Sequence, residues 1–204
     1  MTSAPYRRTP VQERSAARVQ RMLDAAATLL DDVGYDATTT SLIASRAGVS
    51  VGSLYQFFPD RRAVLHALAE RSFVRFSAAV TDAVVAARPR TWRDMIDLVV
   101  DVFVEFSTHE PAAQVLSFGG PVDRKMLDPD KDNNAVVAGA LSEVLHRVVP
   151  GLELTDPLLL AVRVAVEAGD SVLALAFRRA DPFDAEVVEQ AKQLIKAYLA
   201  AHLD

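Results

Sequence analysis

Residues that could catalyse a reaction or bind a metal ion are few and dispersed in this chain. The four histidines, His66, His109, His146 and His202, form no closely spaced pair, and the 204 residues include no cysteine. A chain without cysteine has no disulfide, thiolate nucleophile or cysteine–zinc site. It also lacks a glycine-rich phosphate loop and a nucleophile elbow. The sequence therefore predicts no enzyme, no cofactor and no metal site.

One cluster of titratable side chains needs separate consideration. Five residues recur every three or four positions, which places them on one helix face: Asp94, Asp97, Asp101, Glu105 and His109. Such a face could hold a metal ion or an acid–base pair. The alternative is a solvated face, with His109 near a helix C-terminus, where a cation is favoured. We favour the solvated face, because a metal site in a helical bundle needs ligands that converge from several helices.

A stretch of small and polar residues between positions 38 and 58 indicates a different kind of site. Thr38–Thr40 precede an apolar run, which is typical of a helix start, and Gly48 can adopt the left-handed conformation that ends a helix. Ser50 can cap a second helix, which runs from Val51 to about Phe57. Two short helices around a glycine-containing turn are typical of a helix-turn-helix, although an ordinary αα-corner is the alternative.

The two faces of the second helix differ. Leu54 and Phe58 are four residues apart and can anchor the helix in a core. The other side carries small and polar residues: Val51, Gly52, Ser53, Tyr55 and Gln56. Glycine and serine would let the backbone approach the floor of a DNA groove closely.

These spaced residues resemble the DNA-binding head of the tetracycline-repressor (TetR) family. The resemblance rests on Gly34–Thr39, Ile43 and Ala44, Ala47–Ser50, Gly52–Tyr55 and Phe58, and it continues through Arg61, Val64 and Leu65. It covers about residues 14–70, a third of the chain. It implies an all-α protein that binds double-stranded DNA at a palindromic operator, responds to a small-molecule effector and forms a homodimer. By resemblance, repression is favoured over activation.

The resemblance also implies roles for single residues. Thr39 and Thr40 match positions at the phosphate backbone, and Tyr55 matches the phosphate-contacting tyrosine of the family. Arg61 replaces the usual lysine, and we predict a phosphate partner for it, because a cation in the first helical turn opposes the helix dipole. The candidate DNA-binding residues are Thr39, Thr40, Ser50, Val51, Gly52, Ser53, Tyr55, Gln56 and Arg61.

Two departures from the family pattern affect how DNA would be read. Ser41 is at a position where many members have arginine, and Val51 is at a position where many have lysine. Gln56 could pair with adenine, and Val51 could touch a thymine methyl group. Apolar contact, close backbone approach and DNA shape would then account for more of the specificity than charged side chains.

The charge distribution fits a DNA-binding head on an acidic body. The net charge is −5, yet residues 1–71 carry nine arginines against seven acidic residues, and residues 72–204 carry thirteen basic and twenty acidic residues. We predict a flexible basic arm over 1–11 with Arg7 and Arg8, a helix-turn-helix domain over 12–71 and an effector-binding and dimerisation domain over 72–204. The arm could contact phosphates or the minor groove, or be a plain tail.

The helical periodicity predicts about nine helices and no strand. The first spans about 12–33, and a long one from 60 to 87 joins head and body. Thr91 with Asp94 forms a capping-box-like start for a helix to Thr108, and Pro111 opens a short helix to Phe118. A loop follows from Gly119 to Asn134. Asp156–Pro157 and Asp181–Pro182 each predict the start of one of the last two helices.

An effector cavity is expected among the aromatic residues and methionines of the body, because helical bundles commonly bind ligands between helices. The resemblance places an effector pocket in this region, although ordinary core is the alternative for most of these residues. The candidate ligand-binding residues are Phe76, Trp92, Phe103, Phe106, Phe118 and Met126.

The last two helices carry more apolar surface than one face packed in a small domain needs. Leu159, Val162, Val166, Leu173 and Ala176 lie along one side of the first of them. We predict that these helices form the homodimer interface, with a well-filled monomer core as the alternative.

No membrane partner is predicted. Residues 1–10 lack the apolar region of a signal peptide, and the most apolar run, 158–177, contains Arg163, Glu167 and Asp170. We expect a cytoplasmic location. The rival function is a helical carrier or enzyme for an apolar ligand, with a head that does not bind DNA.

Overall fold

The computed structural model describes residues 10–110, 133–180 and 182–204. Over these residues the chain is helical and contains no strand, which confirms the predicted all-α class. The helices are α1 (Pro10–Ala37), α2 (Thr40–Arg46), α3 (Val51–Tyr55), α4 (Arg61–Ala87), α5 (Trp92–His109), α6 (Asn133–Val148), α7 (Asp156–Arg179) and α8 (Ala185–Leu203). The predicted helix over 111–118, most of the loop from Gly119 to Asn134 and most of the basic arm lie outside the described residues.

The chain packs as two units. One unit ends at Glu70, and the other comprises Arg71–Asp204. Helix α4 begins in the first unit and continues into the second. None of the helices in the described part of the chain is long and apolar enough to span a membrane.

In the first unit, α1 packs against α2, and α2 packs against α3. The predicted apolar face of α1 is buried, with Met22 and Leu30 inaccessible to solvent or nearly so, and Ile43, Leu54 and Leu68 are fully buried. Gly34 interrupts α1 with a φ of 76°, which favours glycine because a side chain is strained there. Residues 35–37 then form a further helical turn beyond the predicted helix end.

In the second unit, α5, α6, α7 and α8 surround one hydrophobic core. Its buried members come from all four helices and include Met95, Val100, Leu145, Val162, Leu173, Ala191, Ile195 and Leu199. The closest pair is α7 and α8. A Cβ atom at Gly169 would lie 2.7 Å from Cδ1 of Ile195, so the glycine permits this close approach.

The helix starts in the body were predicted with mixed success. At α5, Thr91 and Asp94 form a complete capping box, as predicted. Helix α7 begins at Asp156 with Pro157 in its first turn. The predicted start of the last helix at Pro182 is wrong by three residues, because Asp184 caps α8 instead, accepting hydrogen bonds from the backbone N–H groups of Glu186 and Val187.

The acidic face of α5 is only partly solvated. Two lysines of α8 form ion pairs with aspartates in the middle of this face. Nζ of Lys196 lies 2.5 Å from Asp97, and Nζ of Lys192 lies 2.6 Å from Asp101. Burial lowers the pKa of Lys192, but hydrogen bonds to Asp101 and Glu189 outweigh it and raise that pKa above its ordinary value. The described residues contain no cluster suited to a metal ion. The solvated-face interpretation was therefore incomplete: part of this face fastens α5 to α8.

The predicted interface side of α7 is largely the protomer's own core. Val162, Leu173 and Ala176 are buried within the second unit, so assigning them to an outward face was wrong. Of the predicted side, Leu159 is exposed, and the other exposed apolar side chains of α7 are Leu160, Val164 and Leu175.

Candidate nucleic-acid interface and ligand cavity

Helices α2 and α3 are capped by the hydroxyl residues that the sequence indicated. Oγ1 of Thr39 accepts from the backbone N–H of Leu42 at 3.2 Å, and Oγ of Ser50 accepts from that of Ser53 at 3.1 Å. Gly48, with a φ of 66°, makes the turn between the two helices. The local hydrogen bonds therefore define both ends of the helix-turn-helix.

Helix α3 has one buried and one exposed face. Leu54 is fully buried and Phe58, just after the helix, is 7% exposed. On the opposite side Val51, Gly52, Tyr55 and Gln56 are exposed and Ser53 is half-buried. This side offers one amide, one phenol, one small apolar group and an unobstructed backbone to a partner surface.

The hydroxyl groups of Tyr55 and Thr40 connect the exposed ends of α3 and α2. Their oxygens lie 3.3 Å apart. Tyr55 is 51% exposed, so its ring and hydroxyl remain accessible while the contact orients them. Thr39 is exposed beside them, and its oxygen serves as cap acceptor while its proton remains available for donation.

Arg61 has structural partners that its position in the first turn of α4 does not indicate. Its Nη1 donates to the carbonyl oxygens of Tyr35 at 3.2 Å and Thr38 at 3.1 Å, and its guanidinium lies 4.5 Å from the centroid of the Tyr35 ring. The unfavourable position in the helix dipole is thus compensated by three local contacts. A guanidinium has five N–H groups, and these hydrogen bonds use only part of them.

Two further links hold α2 in place and were not identified from the sequence. Thr38 is fully buried, and its hydroxyl donates to the carbonyl of Gly34 at 2.7 Å. Arg46 pairs with Asp32 of α1 at 3.0 Å. A threonine four residues after a glycine and an arginine at a helix end are common patterns, so neither gave a distinctive signal.

The second unit contains an apolar cavity of about 90 Å³. Of the candidate ligand-binding residues, Phe76 and Phe103 line it. The other lining residues come from α5, α6, α7 and α8: Ile96, Val99, Val100, Val137, Leu141, Leu145, Val162, Ala165, Val166, Gly169, Asp170, Leu173, Ile195 and Leu199. Aliphatic side chains therefore form most of the wall, in contrast to the aromatic lining predicted from the sequence.

The remaining candidates lie elsewhere. Phe106 packs edge-on against Phe76, with ring centroids 5.6 Å apart, but it is not part of the cavity wall. Trp92 is buried at the start of α5, where its indole Nε1 donates to Asp204 at 3.3 Å and Arg93 lies over its ring. The prediction for Trp92 is therefore wrong for this cavity. Phe118 and Met126 lie outside the described residues.

Asp170 is a cavity-lining residue that the sequence pattern does not indicate. It is 7% exposed and lies on the cavity wall among apolar side chains of α7 and α8. Its burial depends on how α7 packs in the second unit.

Comparisons with known proteins match a region in each of the two units to a protein family. A family described as "Bacterial regulatory proteins, tetR family" matches residues 22–68, and one described as "Tetracyclin repressor-like, C-terminal domain" matches residues 90–203. The first match contains α2 and α3, and the second contains most of the cavity wall.

Three similar proteins illustrate the range of likeness. A TetR-family transcriptional regulator from Streptomyces coelicolor is 37% identical, with a TM-score of 0.79 over 94% of this chain and 100% of that chain. The transcriptional repressor KstR of Mycolicibacterium smegmatis is 35% identical over 74 residues, which span only 36% of either chain. SmeT, the repressor of a multidrug efflux pump of Stenotrophomonas maltophilia, shares the fold at 21% identity, with a TM-score of 0.60 over 92% of this chain and 91% of that chain.

The family matches together extend over both units, and the Streptomyces regulator is similar over nearly the whole length. The chain therefore belongs to the TetR family of bacterial regulatory proteins, a family of DNA-binding transcription regulators rather than enzymes.

Proposed function

We propose that this protein is a homodimeric transcriptional repressor that binds a palindromic operator and leaves it when a small, largely apolar effector occupies the cavity. The observation that carries the proposal is the division of α3 into a buried face, with Leu54, and an exposed face, with Val51, Tyr55 and Gln56. A regulator that binds chromosomal DNA would act in the cytoplasm.

The proposed DNA contacts divide into two kinds. Thr39, Thr40 and Tyr55 would donate to phosphates, which fixes the position of the head without reading sequence. The exposed face of α3 would enter the major groove, where Gln56 could pair with adenine and Val51 could touch a thymine methyl group. Ser50, Gly52 and Ser53 would allow close approach, and Arg61 would add one phosphate contact.

The proposed dimer interface uses the exposed apolar residues of the last two helices. On α7, Leu160, Val164 and Leu175 are 64%, 41% and 40% exposed and lie at helical spacing with Ala168 and Ser171 between them. On α8, Leu194 is 42% exposed. Exposed apolar surface of this kind supports burial against a second copy.

The cavity supports the effector part of the proposal. Phe76, on the wall, belongs to α4, the helix that begins in the head unit with Arg61. A ligand that moves Phe76 could therefore shift α4 and change the population of the DNA-competent state. An effector acts only if it binds that state less tightly than the incompetent one.

The DNA part is tested by selecting binding sites from random duplexes and measuring retention against salt concentration. We expect an enriched inverted repeat with half-site centres about 34–36 Å apart, or one helical turn further, because two heads related by a two-fold axis enter the major groove from one side. Affinity should fall steeply with salt, since phosphate contacts release counterions. A carrier or enzyme with an inactive head would show no salt-sensitive retention, and an asymmetric selected site would contradict the two-head arrangement.

A further inference from the structure

We propose that Ser53 reads a purine in each half of the operator by donating a hydrogen bond from its hydroxyl group to N7, and that Ser50 prepares this hydroxyl for the contact. The inference deepens the proposed function and rests on it, since α3 is taken as the helix that enters the major groove. It assigns base recognition to Ser53 and makes Ser50 a positioning residue that acts through it.

The two serines are joined by two hydrogen bonds. Oγ of Ser50 accepts from the backbone N–H of Ser53 at 3.1 Å, and the hydroxyl of Ser50 donates to Oγ of Ser53, also at 3.1 Å. A hydroxyl group has one proton and two acceptor positions. The proton of Ser50 is therefore used within the protein, whereas Ser53 receives a hydrogen bond and, among the described residues, has no acceptor for its own proton.

This arrangement favours donation by Ser53. A hydroxyl that accepts a hydrogen bond is polarised and becomes a stronger donor, because hydrogen bonds in a chain reinforce one another. In the major groove adenine and guanine both present the acceptor N7, cytosine presents a donor, and the O4 acceptor of thymine lies beside its methyl group. A short side chain prepared as a donor therefore selects the strand on which the purine lies, and adenine and guanine should serve equally.

The position of Ser53 on α3 allows its short side chain to reach a base. Ser53 is half-buried at the border of the exposed face, and Gln56 follows three residues later on the same side. A Cβ atom at Gly52 would meet no atom within 4 Å, so the backbone beside Ser53 is unobstructed. Three residues span about 4.5 Å of helix. The purine read by Ser53 should therefore lie within about two base pairs of the base read by Gln56.

The test replaces the purines of the selected operator by 7-deazapurines, which lack the N7 acceptor and keep Watson–Crick pairing. Each position is replaced in turn, symmetrically in both half-sites. Fluorescence anisotropy measures the dissociation constant of the full-length protein, and the readout is the ratio of the constants for modified and unmodified DNA. For wild type we expect a loss of about fivefold per half-site at the position that Ser53 reads, as for one ordinary hydrogen bond.

Two variants connect this loss to the serines. Ser53→Ala keeps the backbone N–H that Ser50 caps and removes the hydroxyl, so the effect should disappear at one position and persist at the position read by Gln56. Ser50→Asp remains a good cap, but its carboxylate accepts hydrogen bonds and donates none. It should draw the proton of Ser53 to itself and likewise remove the effect. Its negative charge should weaken all duplexes similarly, so that this change cancels in the ratio.

Ser45→Ala, at an exposed position of α2, is the matched control and should retain the wild-type pattern. Circular dichroism verifies that each variant keeps its helices. An unchanged set of 7-deaza effects in Ser53→Ala would overturn the proposal, because another side chain would then read N7. An effect that survives in Ser50→Asp would contradict the positioning role of Ser50.

The same measurements separate this inference from the proposed function. Salt-sensitive binding of the operator without an N7 effect that depends on Ser53 would contradict the inference and leave the proposed function intact. Absence of salt-sensitive binding would contradict both.

Discussion

The guanidinium of Arg61 lies over the ring of Tyr35, 4.5 Å from its centroid, and its Nη1 donates to the carbonyl oxygens of Tyr35 and Thr38. The first residue of α4 is thereby fastened to the last turn of α1 and to Thr38, which follows it. Thr38 directly precedes Thr39 and Thr40, so the contact also fixes the start of the helix-turn-helix.

A first prediction separates the two roles of Arg61. Arg61→Ala removes the donor to two partly buried carbonyl groups, so we expect the free energy of unfolding to fall by about 1–3 kcal/mol. If the arginine also contacts a phosphate, the slope of log affinity against log salt should decrease by about one. Urea unfolding and fluorescence anisotropy measure the two effects.

Arg61→Lys and Arg90→Ala complete this experiment. Lysine keeps the charge but not the planar guanidinium, so the salt slope should persist while stability still falls. Arg90 is exposed just before α5, and its replacement should change neither quantity. Loss of stability with an unchanged salt slope in Arg61→Ala would make Arg61 a structural residue only.

A second prediction concerns the hydroxyl of Tyr55, which lies 3.3 Å from that of Thr40 on the exposed surface. Tyr55→Phe removes the proposed phosphate donor and retains the ring. We expect affinity to fall by a similar factor, about threefold to tenfold, for operator and unrelated DNA, because phosphate contacts carry no sequence information. The free energy of unfolding should change by less than about 0.5 kcal/mol. Tyr198→Phe, on α8, is the control, and a loss confined to operator DNA would argue against a phosphate contact.

Local patterns explain why much of the head could be predicted from the sequence. A capping hydroxyl, a turn glycine and an apolar pair four residues apart each act within one helical turn, so Thr39, Ser50, Gly48 and Leu54 have the roles that their spacing indicates. The same holds for the capping box of Thr91 and Asp94. The structural contacts of Arg61 could not be predicted, because its partners are 23 and 26 positions earlier in the chain.

The body was less predictable because α7 is apolar on several sides. Periodicity alone does not distinguish the side that meets α8 from the side that meets solvent, so Leu173 was placed outward although it is buried. The burial of Asp170 depends on the same packing. Likewise, the pairs of Asp97 with Lys196 and Asp101 with Lys192 require that α5 and α8 be neighbours.

A third prediction follows from Asp184, which caps α8. The hydrogen bond from Arg179 holds the pKa of Asp184 below its ordinary value, and the backbone N–H groups of Val187 and Glu186 act in the same direction. A lowered pKa in the folded state means that the stabilisation is present above the ordinary value, about 4, and is lost as the pH falls through the folded-state pKa.

The measurement is the melting temperature between pH 7 and pH 2 for wild type and Asp184→Asn. Asparagine is an equally good cap but carries no charge, so the variant should melt at a lower temperature near neutrality. The gap should close below about pH 4, as Asp184 becomes protonated. Asp82→Asn provides the control for a general change in charge. A gap that stays constant across this range would assign the effect to packing rather than to the carboxylate.

A fourth prediction concerns assembly, and the choice of residue decides what is tested. Leu173→Glu would place a charge in the protomer's own core, because Leu173 is 5% exposed and lines the cavity. Leu160 is 64% exposed on α7 and belongs to the proposed interface. Leu160→Glu should therefore leave the fold intact and yield monomers, because an unpaired carboxylate would be buried on association.

Light scattering on a sizing column measures the mass, and circular dichroism verifies that the helices persist. Val85→Glu is the matched control, since Val85 is an apolar residue of α4 with a similar exposed fraction, 68%, outside the proposed interface. It should remain a dimer. Monomeric Leu160→Glu should also lose operator affinity steeply, because one head reaches only one half-site. A fully dimeric Leu160→Glu protein would place the interface on a different surface and remove α7 from the proposed assembly.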